Sequence, residues 1–235
     1  SALSKALDKI EVKAKKVAAH VLEAAVDDID FKDGKFTVKG TDKAIDFASV
    51  ALQAYIAHKF NGQDLEPGLK ESAFWDPTNF TFPAGTYICE VEVDPQTGVV
   101  RVDRFTAVDD FGTIINPMIV EGQVHGGLAQ GIGQALLENC VYDRATGQLL
   151  TGSFMDYAMP RLGHMPNIRN ETIEVATDLN ALGSKGVGES GCSGSLPALA
   201  NAVSDALRQV GAPPMDMPFT PAKLWAAIQA APDKP

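Results

Sequence analysis

The chain has 235 residues, 45% of them hydrophobic and 21% charged, which allows one large or two small globular domains and excludes a wholly disordered or collagen-like protein. An excess of 30 acidic over 20 basic residues gives a formal net charge of −10, so we expect neither nucleic acid nor an anionic membrane surface as a partner. No apolar run approaches the roughly 18 residues that span a bilayer, which predicts no membrane insertion.

Cysteines and histidines are too scattered to form a metal-binding or disulfide pattern. The chain has three cysteines, Cys89, Cys140 and Cys192, and four histidines, His20, His58, His125 and His164. Because neither C-x-x-C nor H-E-x-x-H spacing occurs, we predict no metal site built from protein side chains. Three separated, reduced thiols also favour a cytoplasmic protein over a disulfide-stabilised one.

The N-terminal part of the chain is predicted to contain two helices and a strand. Apolar residues from Leu3 to Val21 recur every three or four positions, which is typical of a helix with one face on a core. Alternation predicts a strand over residues 36–39, and a second helix is predicted over 44–59.

A proline-containing connection from Asn61 to Gly85 separates this part from the rest of the chain. Long connections without periodicity are typical of domain boundaries or functional loops. We therefore predict an N-terminal subdomain over residues 1–85 and a C-terminal subdomain over 86–235.

The C-terminal subdomain begins with a predicted hairpin. Residues 87–93 and 99–108 are rich in strand formers and flank D-P-Q-T-G, in which proline and glycine supply the turn dihedrals. The other predicted elements are helices at about 118–138, 195–210 and 221–230, and strands at 153–156 and 170–177. The mixture predicts an α+β fold.

The predicted helix at 118–138 carries no charged residue between its two terminal glutamates, Glu121 and Glu138. Helices without charge are usually buried on most sides, so we expect burial here. A second stripe of this helix consists of Gln123, Gly127, Gln130 and Gln134. Two interpretations stay open: close helix packing made possible by glycine, or a polar, neutral ligand held by the glutamine amides.

A glycine-rich segment over residues 181–191, here called the glycine loop, ends in G-V-G-E-S-G. This end matches the dinucleotide-binding G-x-G-x-x-G, but that fingerprint requires a strand directly before the first glycine, and none is predicted there. A nicotinamide-dependent dehydrogenase is therefore the weakest alternative. Glu189 is either a solvated glutamate in a structural turn or a carboxylate presented to a ligand that approaches the glycine backbone.

Three segments in order give the chain a specific resemblance. They are G-T-I-I-N-P-M-I-V-E-G-Q-V-H-G-G-L-A-Q-G-I-G-Q-A-L from Gly112, S-F-M-D-Y from Ser153 and G-S-K-G-V-G-E-S from Gly183. Together they resemble the large subunit of the molybdenum hydroxylases, the xanthine oxidase family that includes aldehyde oxidases and aerobic carbon monoxide dehydrogenase. The resemblance implies the C-terminal part of that subunit, with residues 86–235 as the molybdopterin-binding subdomain.

The resemblance also implies roles for individual residues. Glu189 would be the catalytic base beside molybdenum, and Gln123 would bind the pterin. The other implied cofactor-binding residues are Asp110, Phe111, Gly112 and Thr113 at the dinucleotide extension, and Lys185, Gly186, Val187 and Gly188 near the pterin and metal. Molybdenum would be held by the pterin dithiolene of molybdopterin cytosine dinucleotide, without a protein side-chain ligand.

The implied reaction is oxidation of an aldehyde or N-heterocyclic carbon with water as the oxygen source. Two electrons would pass to [2Fe-2S] clusters and FAD on separate iron–sulfur and flavin subunits, and the N-terminal half of the large subunit would be a separate chain. A non-catalytic scaffold chain of such a complex is the alternative from another class. The substrate cannot be read from these residues.

Overall fold

The computed structural model describes residues 1–56 and 65–232 as two compact units, Ser1–Thr78 and Asn79–Pro235. The boundary predicted after residue 85 falls inside the first strand of the second unit. His58, the end of the helix predicted over 44–59 and the start of the predicted connection lie outside the described residues. Within the described ranges, no helix is long and apolar enough to cross a membrane.

The first unit packs two helices on a small antiparallel sheet of order β1-β2-β3. Its elements are α1 (Ala2–Leu22), a 3-10 turn (Val26–Asp28), β1 (Ile29–Lys32), β2 (Lys35–Val38), β3 (Ala44–Asp46) and α2 (Phe47–Tyr55). Ala14, Val17, Phe36 and Val50 are fully or almost fully buried in its core. The predicted first helix and the strand near 36–39 are confirmed.

The start of the second helix was predicted wrongly. Residues 44–46 form β3, because they pair with β2 in the register Phe36 opposite Ile45. The helix begins only after Asp46, whose carboxylate caps it by accepting the Ser49 backbone N–H at 2.8 Å.

The second unit contains a three-stranded sheet covered by helices. Its elements are β4 (Ala84–Val93), β5 (Val100–Asp110), α3 (Pro117–Ile132) with a π-helical extension (Gly133–Leu137), a 3-10 turn (Leu162–His164), β6 (Asn167–Thr172), α4 (Ser190–Gln209) and α5 (Pro221–Gln229). β4 and β5 are antiparallel, and β6 pairs parallel to β5. The predicted hairpin and last helix are confirmed, and so is the mixed α+β class.

The core of this unit lies between the sheet and helices α3 and α4. Phe105, Leu128, Leu199 and Leu224 are fully buried there. Burial of such side chains contributes about 2 kcal/mol each, so this contact holds the second unit together. It also fixes where α3 and α4 begin relative to the end of β5.

Three elements of the second unit differ from the prediction. Residues 153–156 form a turn rather than a strand, in which the backbone N–H of Asp156 donates to the Ser153 carbonyl. The last strand ends at Thr172 instead of extending to 177. Helix α4 begins at Ser190 rather than Ser195, because Gly191 and Gly194 allow its first turns to pack closely on α3 and β4.

Candidate functional site

The end of β5 and the glycine loop lie side by side, although some 70 residues separate them in sequence. The Lys185 N–H donates to the Phe111 carbonyl at 2.8 Å, and the Thr113 N–H donates to the Gly183 carbonyl at 2.9 Å. An isolated β-bridge joins Gly112 to Ser184. The structure thus places the predicted segment from Asp110 to Thr113 beside Lys185.

An ion pair reinforces this contact. The Lys185 ammonium lies 2.5 Å from Asp110 Oδ2, and the two side chains are only 15% and 16% exposed. Asp110 Oδ1 also accepts the backbone N–H groups of Gly112 and Val175. The hydrogen bond from Lys185, followed by that from Gly112, lowers the pKa of Asp110. The charge of Lys185 is therefore neutralised within the chain.

Glycine is required where the two segments meet. Gly112 has a φ of +63°, and a Cβ there would lie 2.1 Å from the Gly183 carbonyl oxygen. Gly183 itself has a φ of +72°. Any larger residue at Gly112 would combine left-handed backbone strain with a clash against main chain.

Beyond Lys185 the glycine loop is open. The nearest atoms to a Cβ built on Gly186 and Gly188 are the Thr81 carbonyl oxygen at 3.8 Å and Gln123 Oε1 at 3.7 Å. Within the described residues, the backbone N–H groups from 187 to 189 donate no hydrogen bond. Gln123, predicted from a separate motif, therefore lies next to the predicted loop residue Gly188.

Helix α3 has one buried and one exposed face, so the expectation that it is buried on most sides is wrong for the described chain. Its buried residues are Val124, Gly127, Leu128, Gly131 and Ile132. Its exposed residues include Gly122, Gln123, Gly126 and Gln130, and Gln134 continues this face into the π-helical extension. We call these five residues the amide face. Burial is one-sided because the apolar residues and two of the glycines face α4, whereas the glutamines point away.

The α3 glycines fall into two groups, and close packing accounts for only one of them. A Cβ on Gly131 would lie 1.8 Å from Ser195 Oγ, and one on Gly127 would lie 2.7 Å from the Cys192 backbone nitrogen. Close packing against α4 explains those two. Gly122 and Gly126 have no atom within 4 Å of a built Cβ, so packing within the described chain does not explain them.

Glu189 is the residue directly before α4, and its side chain is exposed. It lines a cavity of about 580 Å³, formed by the residues after Asn79, by β4 and by the start of α4. Asp109, which is only 2% exposed, also lines this cavity. Burial raises the pKa of Asp109, while the Tyr87 hydroxyl donates to its two oxygens at 3.0 and 2.9 Å.

Sequence reasoning missed Asp109 and Tyr87. The available signal was the alternation of β5, in which Phe105, Ala107 and Asp109 are all buried on one face. A carboxylate in phase with two buried apolar residues is expensive unless it is hydrogen-bonded, and this marks it for attention.

The surroundings of Glu189 suit a polar ligand that is rich in hydrogen-bond acceptors. The open glycines admit such a ligand to the backbone, the free N–H groups precede a 20-residue helix, and the Gln123 amide can both donate and accept. A pterin that carries a dinucleotide has this chemistry. Among the described residues, no three His, Cys, Asp or Glu side chains are grouped for metal binding.

The dinucleotide-binding fingerprint lacks its structural context. Strand β6 ends at Thr172, and in the described chain no strand leads directly into Gly186. The three glycines therefore do not form the strand-to-helix turn that the nicotinamide-dependent alternative requires.

Comparison with known proteins gives consistent matches along the chain. A family profile described as "Molybdopterin cofactor-binding domain" matches residues 1–166. The carbon monoxide dehydrogenase large chain of Hydrogenophaga pseudoflava is 42% identical over 230 residues, covering 97% of this chain and 28% of the relative. The nicotine 6-hydroxylase large subunit of Paenarthrobacter nicotinovorans is 39% identical over 228 residues, with the same coverage.

Solved structures share the fold. A Cu,Mo-CO dehydrogenase matches with a TM-score of 0.84 and 38% identity, covering 94% of this chain and 28% of that one. Quinoline 2-oxidoreductase from Pseudomonas putida 86 matches with a TM-score of 0.84 and 40% identity, covering 95% and 28%. The chain thus spans about 28% of the length of these relatives. It belongs to the molybdopterin cofactor-binding domain family and corresponds to part of a molybdenum hydroxylase large subunit.

Proposed function

We propose that this chain forms one side of the molybdopterin site of a molybdenum hydroxylase, with Glu189 as the catalytic base. The observation that carries the proposal is the meeting of two separate motifs. Gln123 of α3 lies beside Gly188, and Glu189 follows directly at the edge of a cavity. A carboxylate presented by an open backbone is suited to accept a proton from a ligand held there.

The residues around the glycine loop divide the binding work. Gly186 and Gly188 admit the cofactor to the backbone, where the N–H groups of Val187 and Gly188 are free to donate. Gln123 supplies an amide that can donate and accept. Lys185 holds the loop in place, since its ammonium is bound to Asp110 and its backbone N–H donates to the Phe111 carbonyl.

The segment from Asp110 to Thr113 supports the dinucleotide extension of the cofactor in this proposal. Asp110 and Phe111 are engaged with Lys185, whereas Gly112 and Thr113 form the turn beside Gly183. The cytosine dinucleotide form is proposed on the resemblance to carbon monoxide dehydrogenase large chains. Nothing in the described side chains selects one nucleotide over another.

When bound, the molybdenum cofactor supplies a two-electron oxidation in which water provides the oxygen. The part of this chain is to hold the cofactor and to take up a proton at the Glu189 carboxylate. We propose an aldehyde or N-heterocyclic carbon as the substrate class. The names of the relatives include carbon monoxide, nicotine and quinoline, so similarity alone does not choose among them.

The chain would act in a cytoplasmic complex with other polypeptides. The partners proposed are the remainder of the large subunit, an iron–sulfur subunit with [2Fe-2S] clusters and a flavin subunit with FAD. Coverage of only 28% of the relatives supports a contribution from further polypeptide. The uncharged amide face of α3 offers a surface for cofactor and partner contacts.

The test is Glu189→Gln in the assembled complex. Glutamine keeps the size and hydrogen-bonding capacity of the side chain but cannot act as the base, so turnover should fall by roughly 10² to 10⁴ while molybdenum is retained. Glu174→Gln, at an exposed glutamate outside the cavity, is the matched control and should leave turnover unchanged. A Glu189→Gln variant with full molybdenum content and full turnover would contradict the catalytic role and favour the scaffold alternative.

A further inference from the structure

The lining of the cavity that contains Glu189 also includes a buried carboxylate for which the proposed reaction has no role. Asp109 is 2% exposed, and in the described part of the chain no cation pairs with it. Its neighbour Asp110 takes the ammonium of Lys185, on the other side of the strand. The hydrogen-bond partner of Asp109 is instead the Tyr87 hydroxyl, which lies 3.0 and 2.9 Å from the two carboxylate oxygens.

The geometry around Asp109 leaves little freedom for either side chain. Gly85 is directly opposite Asp109 in the β4–β5 register, and a Cβ there would lie 2.2 Å from Asp109 Oδ1. Only glycine therefore leaves room for the carboxylate. On the same face of the sheet, the ring of Phe105 contacts the Tyr87 ring edge-on, with centroids 6.3 Å apart.

The remaining side of the Tyr87 ring meets helix α4. A Cβ built on Gly194 would lie 2.5 to 2.7 Å from three ring carbons of Tyr87, so the ring rests against the helix backbone. Gly194 is the fifth residue of α4, and Glu189 is the residue that precedes the helix. The chain of contacts thus runs from Asp109 through Tyr87 and Gly194 to the turn that carries Glu189.

We propose that Tyr87 and Asp109 are positioning residues that fix the start of α4 and thereby hold Glu189 in place. The proposal rests on the proposed role of Glu189. This role requires the Tyr87–Asp109 hydrogen bond, which fixes the position of the Tyr87 ring against which α4 packs. It does not require a negative charge on Asp109. A displacement of about 1 Å at a reacting group can reduce turnover by roughly 10²-fold. Loss of the Tyr87–Asp109 contact should therefore lower turnover rather than substrate binding.

Burial of Asp109 also argues against a requirement for its negative charge. Desolvation raises the pKa of Asp109, which shows that the surroundings penalise the ionised form. An asparagine at the same place keeps an oxygen that accepts from Tyr87 and avoids that penalty. Replacement by alanine removes the acceptor altogether and leaves the Tyr87 hydroxyl without its partner.

The experiment compares Tyr87→Phe, Asp109→Ala and Asp109→Asn in the assembled complex, with molybdenum content, kcat, KM and amide hydrogen exchange measured for each. Tyr87→Phe and Asp109→Ala should lose about 10- to 100-fold in kcat with little change in KM or molybdenum. Exchange over residues 187–194 should become about tenfold faster or more, while residues 221–229 of α5 keep the wild-type rate. Asp109→Asn should restore most of what Asp109→Ala loses.

Two further variants keep the test decisive if Asp109→Ala does not fold. Gly194→Ala keeps both hydrogen-bonding groups but forces the ring away from α4, and it should reproduce the loss of kcat and the faster exchange. Leu224→Ala, in the buried core at α5, is a general destabilisation control that should leave kcat unchanged.

The outcomes separate this proposal from the proposed function. An Asp109→Asn variant as impaired as Asp109→Ala would show that the negative charge is required. Unchanged exchange over 187–194 in Tyr87→Phe would show that Tyr87 does not hold the start of α4. Either result overturns the positioning role. The exchange measurement does not depend on turnover. It therefore tests whether Tyr87 and Asp109 fix the start of α4 even if Glu189→Gln proves fully active.

Discussion

The two ends of the glycine loop are held in opposite ways. Its first part is tied to β5 by the Lys185 to Asp110 ion pair and by backbone hydrogen bonds. Its last part enters α4, whose first turns rest on glycine contacts with α3 and on the Tyr87 ring. The first end is thus held mainly by an ion pair, and the last end is held by close packing at glycines.

Two adjacent residues of β5 serve these two ends. Asp110 faces Lys185, whereas Asp109 faces Tyr87, because successive side chains of a strand point to opposite faces. The residues between the two ends keep free backbone N–H groups. The loop is therefore fixed where it joins the fold and left open where a ligand would bind.

Removal of the Lys185–Asp110 ion pair should have the largest effect on the glycine loop. Asp110→Ala leaves Lys185 unpaired and removes the acceptor of two backbone N–H groups, at a cost of about 3 kcal/mol. At about 1.4 kcal/mol per tenfold change, exchange of the Lys185 amide should become roughly 100-fold faster. Asp103→Ala, which removes an exposed ion pair on the same strand, is the control and should have little effect. Unchanged exchange at Lys185 would show that the backbone bridge alone holds the loop.

Alanine substitutions at two glycines of α3 test the close packing between α3 and the start of α4. Gly127→Ala forces a Cβ to within 2.7 Å of α4 main chain and should cost about 1 to 3 kcal/mol, seen as a lower Tm. Gly126→Ala, at the adjacent but open position, should be neutral or slightly stabilising in helix propensity. If Gly126→Ala lowers the Tm as much as Gly127→Ala, the amide face is packed against polypeptide outside this chain.

The smallest expected effects concern pH. Asp109 and Asp110 should influence the stability of the fold in opposite directions as pH changes. Asp110 has a lowered pKa, so it stabilises the fold above about pH 4, the usual range for an unfolded aspartate, and this contribution is lost as pH falls through the lower folded value. Asp109 has a raised pKa, so its ionisation costs stability as pH rises through that value. The Tm of Asp109→Asn should therefore equal or exceed wild type at pH 7, with a difference that vanishes in acid. A Tm deficit that is present only at neutral pH would reverse this sign.

Much of the architecture followed from local sequence patterns. The spacing of apolar residues predicted α1, and the D-P-Q-T-G turn between two strand-forming runs predicted the β4–β5 hairpin. Such elements are decided by signals within about 20 residues, which a single sequence contains. The strand β3 was missed because its three residues run directly into α2, and the four-residue strand β1 was missed as well.

The errors have a common physical cause, which is that pairing partners are not visible in a local pattern. Residues 153–156 were predicted as a strand but lie in a turn, whereas residues 44–46 were predicted as helical but pair with β2. Helix α4 begins five residues early because its glycines fit against α3 and Tyr87. Each outcome depends on a contact with a segment far away in sequence.

For the site, the separate motifs were identified but their arrangement was not derivable from the residues. Only the resemblance placed Gln123 and Gly188 at one ligand. The structure brings these two residues together and joins Asp110 to Lys185, while the binding and catalytic roles themselves stay predictions. Asp109 was missed although it lies in phase with Phe105 and Ala107, because the alternation of β5 was not followed to its last residues.

The most direct test of a cofactor site beside Gly188 is the molybdenum-to-protein ratio of the assembled complex carrying Gln123→Leu or Gln134→Leu. Both substitutions remove an exposed amide from the same amide face, but only Gln123 lies beside Gly188. If Gln123 binds the pterin, its loss leaves polar cofactor atoms unpaired at about 1 to 3 kcal/mol, and molybdenum retention should fall well below that of Gln134→Leu. Equal and full molybdenum content in both variants would contradict a cofactor site at the meeting of α3 and the glycine loop.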